Sequence, residues 1–445
     1  MAKKNEDKEA AGFDIRAARR FDRLQDGDPS FSIDRKRILQ SVKLAGQFIE
    51  NATTGVAEKY QSVLVEAVKV DDEHGVVRLT TKSSSSAASI AVACNVESAG
   101  VTFVRHESLV KALSTIKADA VSITSTTDEV QIEGAGKKRS AQSVVLPVVR
   151  VNNESELPDF DISGVDDSGW LHVSHEALLG AVKVLPKPNQ DRRSSIFSGL
   201  VFASKDGLLE VLSTNGDSYS SLAQIECDGA DMPVASLLYQ QVNEVLSDIE
   251  PENSGVYIGE VNNKVVFSTD SGVFSMPSVG NIGASSGDLG ASHRNNADRL
   301  VSFGEMSSNR TFFVDGKKMR SAINAAQDLA KIGGVINRDM VQVKVELKGD
   351  EVVVSTEDSK TYVEEVDADV ETDAADLPAP MFVIPSIYPE SINAMTMLSH
   401  DGEDSRVRLQ VICLPGRDGG EVPQGIFITG VTNGATVKKM IGVRS

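Results

Sequence analysis

Phe31-Ser-Ile-Asp-Arg-Lys-Arg-Ile-Leu39, Leu171-His-Val-Ser-His-Glu-Ala-Leu-Leu179 and Phe312-Phe-Val-Asp-Gly-Lys-Lys-Met-Arg320 are one pattern written three times. In each, a short strand meets a capping polar residue and an amphipathic helix begins. The central apolar residues Ile33, Val173 and Val314 lie 140 and 141 residues apart. A period this regular marks tandem copies of one unit.

The second part of each copy repeats the theme. Val101-Thr-Phe-Val104 leads into apolar residues at helical spacing (Leu109, Leu113, Ile116). Met232-Pro-Val234 leads into Leu238, Val242, Val245 and Ile249, and Phe382-Val-Ile384 into Ile387, Ile392 and Met395. Turn-bounded β-rich stretches follow: 75–95, 207–227 and 350–370 after the first helices, 120–147, 255–277 and 407–443 after the second. The predicted fold class is α+β, with each copy made of two similar halves of strand, helix and strands. Residues 1–29 read as a charged, mobile N-terminal extension, 30–160 as the first domain and 168–280 as the second. Residues 281–309, rich in Gly, Ser and Asn, read as a flexible linker or insertion, and 310–445 as the third domain. Residues 416–424 read as a loop inserted in the last hairpin.

No apolar run approaches the roughly 18 residues of a membrane span, and the charged N-terminus lacks the apolar stretch of a secretory signal. Cys94, Cys227 and Cys413 have no zinc spacing and no even disulfide framework, so a reducing cytosol is the expected setting. Acidic residues outnumber basic ones 64 to 45, for a net charge of −19. An evenly spread charge of that sign would oppose nucleic-acid binding. The charge is not evenly spread. Residues 35–49, 177–193 and 317–331, the first helix and its continuation in each copy, hold twelve basic and two acidic residues. In the first helix Ile38, Val42, Ala45 and Ile49 form the apolar stripe, while Lys36, Gln40, Lys43 and Gln47 form the opposite one. Lys317, Arg320, Asn324, Gln327 and Lys331 repeat that polar stripe in the third copy. Three equivalent basic helices in an acidic chain point to phosphate attraction.

At this point the chain resembles the bacterial-type DNA polymerase sliding clamp, the DNA polymerase III beta subunit family, over residues 30–445. The most specific likeness lies in the middle copy. There Asn189-Gln-Asp191, Ser198-Gly-Leu-Val-Phe202 and Leu212-Ser-Thr-Asn-Gly-Asp-Ser-Tyr219 are similar to the family's segment ending in Thr-Asp-Gly-His-Arg-Leu. The end Met440-Ile-Gly-Val-Arg-Ser445 is similar to its apolar-Pro-Met-Arg-Leu tail. The resemblance implies three DNA-clamp domains, each of two βαβββ-type halves, forming half of a six-domain ring closed by a second copy head to tail. It implies double-stranded DNA, a DNA polymerase and a clamp-loader ATPase as partners, no membrane, no cofactor and no catalysis, in a cytoplasmic, nucleoid-associated setting. The residues expected to face DNA are Arg35, Lys36, Lys43, Lys183, Lys187, Arg192, Arg193, Lys317, Arg320 and Lys331. The family's partner-peptide pocket maps onto Leu179, Thr214, Asn215, Gly216, Asp217, Ser218, Tyr219, Leu238, Tyr239, Met440, Ile441, Gly442, Val443 and Arg444.

The chain departs from the pattern at the pocket. Asn215 and Asp217-Ser218 stand where the family has Asp and His-Arg, Gly442 replaces Pro and Ser445 an apolar residue. Such divergence suits a replisome encoded by a phage or another mobile element. Other chemistry is weakly represented. Gly134-Ala-Gly-Lys-Lys138 lacks the Gly and Ser/Thr of a phosphate loop, having Gln131 and Lys138 instead, and reads as a hairpin turn. His172 and His175 flank a cap on different elements and do not suit a metal. Two further readings remain: a recruitment hub with the clamp fold that does not encircle DNA, and a structural protein of a virus particle.

Overall fold

The computed structural model describes residues 27–50, 57–70, 74–135, 142–150, 169–188, 198–214, 219–248, 255–270, 272–278, 286–305, 310–332, 342–348, 350–356, 362–370, 381–385, 406–415 and 421–442. The first copy runs β1 (Ser30–Asp34), α1 (Arg35–Ala45), β2 (Ser62–Lys69), β3 (Gly75–Lys82) and β4 (Ala87–Ser98). Its second half is β5 (Gly100–Arg105), α2 (His106–Thr115), β6 (Ala120–Ser125), β7 (Glu129–Ala135) and β8 (Ser143–Pro147). The second copy repeats this order. Its first half is β9 (Leu171–Ser174), α3 (His175–Val184), β10 (Leu200–Lys205), β11 (Leu208–Thr214) and β12 (Tyr219–Asp228). The other half is β13 (Ala235–Leu237), α4 (Tyr239–Asp248), β14 (Gly255–Val261), β15 (Lys264–Ser268) and β16 (Gly272–Met276). Helix α5 (Ser286–Gly304) precedes the third copy, which opens with β17 (Arg310–Asp315), α6 (Gly316–Ile332), β18 (Gln342–Lys348), β19 (Glu351–Thr356) and β20 (Val363–Val370). It closes with β21 (Met381–Pro385), β22 (Arg406–Pro415), β23 (Glu421–Thr432) and β24 (Ala435–Gly442). The helix expected around Ile387 to Met395 lies outside the described residues.

The three quoted stretches share their physics. Asp34 Oδ1 accepts from Arg37 N at 2.8 Å, and Ser174 Oγ from Ala177 N at 3.4 Å. Asp315 Oδ1 accepts from Lys317 N and Lys318 N at 2.9 Å. Each side chain satisfies helix N–H groups that have no intrahelical acceptor, and so fixes where the strand stops and the helix begins. Ile38, Val42 and Ala45 of α1 are buried as the stripe requires, while Lys36, Gln40 and Lys43 are exposed. Gln327 of α6, placed on the polar stripe from sequence, is buried instead.

The halves of a copy interleave. Strand β1 pairs β6 and β2 pairs β5; in the third copy β17 pairs β22 and β18 pairs β21, all antiparallel. Two-residue hairpins hold the registers. Asp206–Gly207, Asn262–Asn263 and Asn433–Gly434 all have positive φ, as the tight turn matching strand twist demands. Sheets also run from copy to copy: β16 pairs β4 (Phe274 with Ala88), and β12 pairs β24 (Ala223 with Val437). The contacts accordingly group the chain into two compact units, 1–170 with 244–277, and 171–243 with 278–445. The middle copy contributes to both.

In the first unit α1 and α2 lie side by side and cap each other. Arg35 Nε donates to Ala118 O at 2.8 Å and Nη1 to Leu113 O at 3.3 Å, beyond and within the last turn of α2. At the opposite ends His106 Nε2 lies 3.0 Å from Val42 O, and the His106 ring occupies the space that a Cβ on Gly46 would take. Phe48 packs on Phe274 with ring centroids 5.6 Å apart. Burying side chains of this size contributes roughly 1.5–3 kcal/mol each. Glu66 and Arg78, directly opposite on β2 and β3, form a buried two-bond ion pair at 2.8 and 3.0 Å.

Two sequence readings change. The Gly/Ser/Asn-rich stretch expected to be a flexible linker or insertion contains α5, and Gly287 and Gly290 lie within that helix. The sheet beneath supplies the apolar surface that its weak intrinsic propensity lacks. The stretch expected to be an inserted loop is shorter than residues 416–424, because β23 begins at Glu421 and pairs with β22.

Candidate functional site

Two sets of residues carry the expected site, and they sit on different elements. The first is the basic set. Lys36 and Lys43 are exposed on α1, Lys183 in the last turn of α3, and Lys317 in the first turn of α6. None of these four makes an ion pair among the described residues, so each ammonium is left to solvent. Arg320 is half-buried on α6. Lys331 falls within α6, and Arg192 and Arg193 lie outside the described residues. Arg35 has a different task from the one expected: its guanidinium is spent on the Leu113 and Ala118 carbonyls. Neighbouring Lys318 stands 3.5 Å from Asp367.

The second set lies in the second unit around β11, β12 and β24. Thr214, fully buried at the end of β11, donates to Tyr219 O at 2.9 Å and meets Ser220 Oγ at 2.7 Å. These bonds join the end of β11 to the start of β12. Tyr219 OH donates to Lys187 O at 3.0 Å, and Lys187 Nζ lies 5.7 Å from the Tyr239 ring centroid, a cation–π contact. Lys187, assigned to DNA from sequence, is thus drawn to the tyrosines of the partner-peptide set. Leu179, Leu238 and Tyr239 are half-buried nearby in sequence order on α3 and at the start of α4. Strand β24 pairs with β12 in the register Tyr219 with Ile441 and Ser220 with Met440. Asn215, Gly216, Asp217, Ser218, Val443 and Arg444 lie outside the described residues; Ile441 and Gly442 are placed by backbone pairing alone.

Strand alternation then divides this set between two faces. Ser213 Oγ donates to Pro186 O at 2.6 Å, just beyond α3, and Tyr219 reaches Lys187 on that same side. Leu212, Ser220 and Met440 point the other way, and Met440 packs against a cluster that includes Leu212, Leu222, Phe427 and, from α5, Leu289, Ala297 and Leu300. Tyr219 therefore belongs to the α3 face and Met440 to the α5 face.

Sequence reasoning missed α5. Its inward residues Leu289, His293, Ala297 and Leu300 recur at steps of four, four and three, a helical signal obscured by the surrounding Gly, Ser and Asn. His293 is 2 % exposed and lies 3.7 Å from Glu210 of β11. Burial holds its pKa below the usual imidazole value, against the opposing pull of Glu210. Gln410 Nε2 donates to Gly304 O at 3.3 Å and ties the end of α5 to β22.

Cys94 and Cys227 are quiet. Burial pushes the Cys94 thiol up to about 12 and raises that of Cys227, so neither is poised as a nucleophile. Among the described residues no cluster of His, Cys, Asp and Glu could hold a metal ion, and no helix is long and apolar enough to cross a membrane.

No protein-family model and no curated protein matches the sequence. Solved structures do match. The beta subunit of the Streptococcus pyogenes DNA polymerase aligns at TM-score 0.65 and 14% identity, covering 93% of this chain and 99% of that one. The Pseudomonas aeruginosa sliding clamp, DNA polymerase III subunit beta bound to griselimycin, aligns at TM-score 0.67 and 12% identity, covering 94% and 100%. The DNA polymerase III beta subunit of Thermotoga maritima aligns at TM-score 0.63 and 13% identity, covering 94% and 99%. Over nearly its whole length this chain has the fold of the DNA polymerase III beta subunit sliding clamps.

Proposed function

We propose that this protein is a DNA sliding clamp: two copies close head to tail into a six-domain ring around duplex DNA and tether a DNA polymerase to its template. The observation that carries this reading is the sign of the charge on the first helices. In a chain of net charge −19, Lys36, Lys43, Lys183 and Lys317 stand exposed at equivalent helices of a clamp fold and make no ion pair among the described residues. A ring holds DNA by topology, so a few exposed lysines suffice and tight phosphate binding would hinder sliding. No group transfer is required of such a protein, and its work is binding. Polymerase and clamp-loader ATPase would dock through a short peptide at Tyr219, Tyr239 and the β24 end, in a cytoplasmic, nucleoid-associated setting.

The test is retention on DNA of two topologies. Loaded protein should remain on nicked circular DNA and run off the same molecule once it is linearised, and should sediment as a dimer. Equal retention on circles and linear DNA, or a monomer with no central hole by imaging, would instead favour a recruitment hub that does not encircle DNA.

A further inference from the structure

Helix α5 is the element the repeat does not need: among the described residues each copy has its eight strands without it. It nevertheless covers a defined surface. Val201, Leu212, Leu222, Ile412 and Phe427 form an apolar floor on the face of the β10–β11–β12–β24–β23–β22 sheet turned away from α3. Onto this floor α5 lays only Leu289, Ala297 and Leu300, with Phe303 at the margin. The remaining inward position is His293, whose Nε2 has no hydrogen-bond partner among the described residues. A buried polar atom left in this state weakens the seat it occupies. The helix sequence contains three Gly, three Ser and two Asn in 19 residues, a composition that does not hold a helix unaided. Docking and helix formation are therefore one event, and α5 belongs to the least stable part of its unit.

We propose that α5 is a displaceable latch: it closes over the Met440 face of this sheet and leaves it as one unit. Met440 is half-buried against the same cluster that seats the helix, so release of α5 bares it together with the floor.

The seat is also acid-sensitive. Glu210 of β11 faces His293, and it is already engaged by Gln224 of β12 at 2.8 Å. Arg294 and Asp298 of α5 act on the ring with opposite signs, and Lys438 of β24 adds a cation to the same sheet face. Burial outweighs the pull of Glu210 and Asp298, so the docked helix prefers neutral His293 and the released one takes up a proton. Release is favoured as pH falls below the ordinary imidazole value of ~6.5.

Hydrogen exchange of the intact chain, read by mass spectrometry and corrected for intrinsic rates, tests this without DNA or partner. Amides of 286–304 should exchange at least tenfold faster than β11, β12 and β24, and faster again at pH 5.5 than at pH 7.5. His293→Leu should slow the helix amides and remove their pH dependence, leaving the strands unchanged. Exchange of α5 at the rate of the strands, at both pH values, would overturn the latch. A second arm replaces 286–304 by a Gly/Ser linker of equal length and adds the synthetic 286–304 peptide. Saturable binding supports an exchangeable seat, and a folded chain that ignores the peptide counts against it. Neither arm uses DNA retention, so failure of the latch and failure of the clamp reading are separable.

Discussion

His106 Nε2 lies 3.0 Å from the carbonyl oxygen of Val42, joining the start of α2 to the end of α1. The ring is mostly buried, and burial lowers its pKa against the raising effects of the Val42 carbonyl and Glu107. The unfolded chain therefore takes up the proton first. This contribution to stability is complete above pH ~6.5 and lost as pH falls below it. Urea unfolding at pH 7.5 and 5.5 should show a larger loss for the parent than for His106→Gln. Gly46→Ala, whose new Cβ would sit 2.3 Å from His106 Nε2, should cost about 1–3 kcal/mol at both pH values.

Glu66 and Arg78 are opposite each other on β2 and β3 and both lie below a tenth exposed. Removing either partner strands a buried charge. Arg78→Met or Glu66→Gln alone should lower unfolding free energy by roughly 3–5 kcal/mol, whereas the double replacement should recover much of it. Equal and additive losses would show that the pair is not coupled.

Reversal of the four exposed lysines tests the DNA-facing set. Lys36→Glu, Lys43→Glu, Lys183→Glu and Lys317→Glu together should shorten residence on nicked circles and flatten its salt dependence. Because these side chains are exposed, the unfolding midpoint should stay within the parent's error. Unchanged residence on closed DNA would remove the basic helices from the function.

Tyr219→Phe deletes the hydroxyl that holds Lys187 O, a bond worth about 0.5–1.5 kcal/mol. The variant should bind a polymerase-derived peptide several-fold more weakly by fluorescence anisotropy. Its dimer mass should not change. Undiminished binding would move the partner site away from the Tyr219–Lys187–Tyr239 cluster.

Removing Val443 to Ser445 should weaken the same peptide while leaving the fold intact. Cutting back to Met440 is a different experiment. It takes Ile441 out of ladders with both Tyr219 and Ile426, and should lower stability as well. Circular dichroism melting separates the two truncations.

The repeat was legible because a cap followed by an apolar stripe is a local signal: Asp34, Ser174 and Asp315 behave alike wherever they occur. Exposure of Lys36 and Lys43 followed from the same periodicity. What was not legible depends on residues far apart in the chain. Arg35 read as a DNA-facing cation because its acceptors, Leu113 and Ala118, lie in and just beyond another helix. Met440 and Tyr219 read as neighbours in one pocket, and only the pairing of β12 with β24 shows that alternation parts them. Gly287 and Gly290 argued for a linker, because the floor that makes α5 a helix comes from β10, β11, β12, β22 and β23.

The pairing of β12 with β24 carries a consequence for how the protein is made. Strand β12 ends at Asp228, and its neighbour in the sheet does not begin until Ala435, so more than two hundred residues leave the ribosome in between. Strand β4 likewise waits for Gly272 to Met276 before its edge is covered. During synthesis both edges are open templates for stray pairing, a hazard that grows with the delay. Nascent chains stalled after Asp228 should bind a chaperone that released full-length chains ignore. Equal binding by both would mean that the edges are shielded some other way.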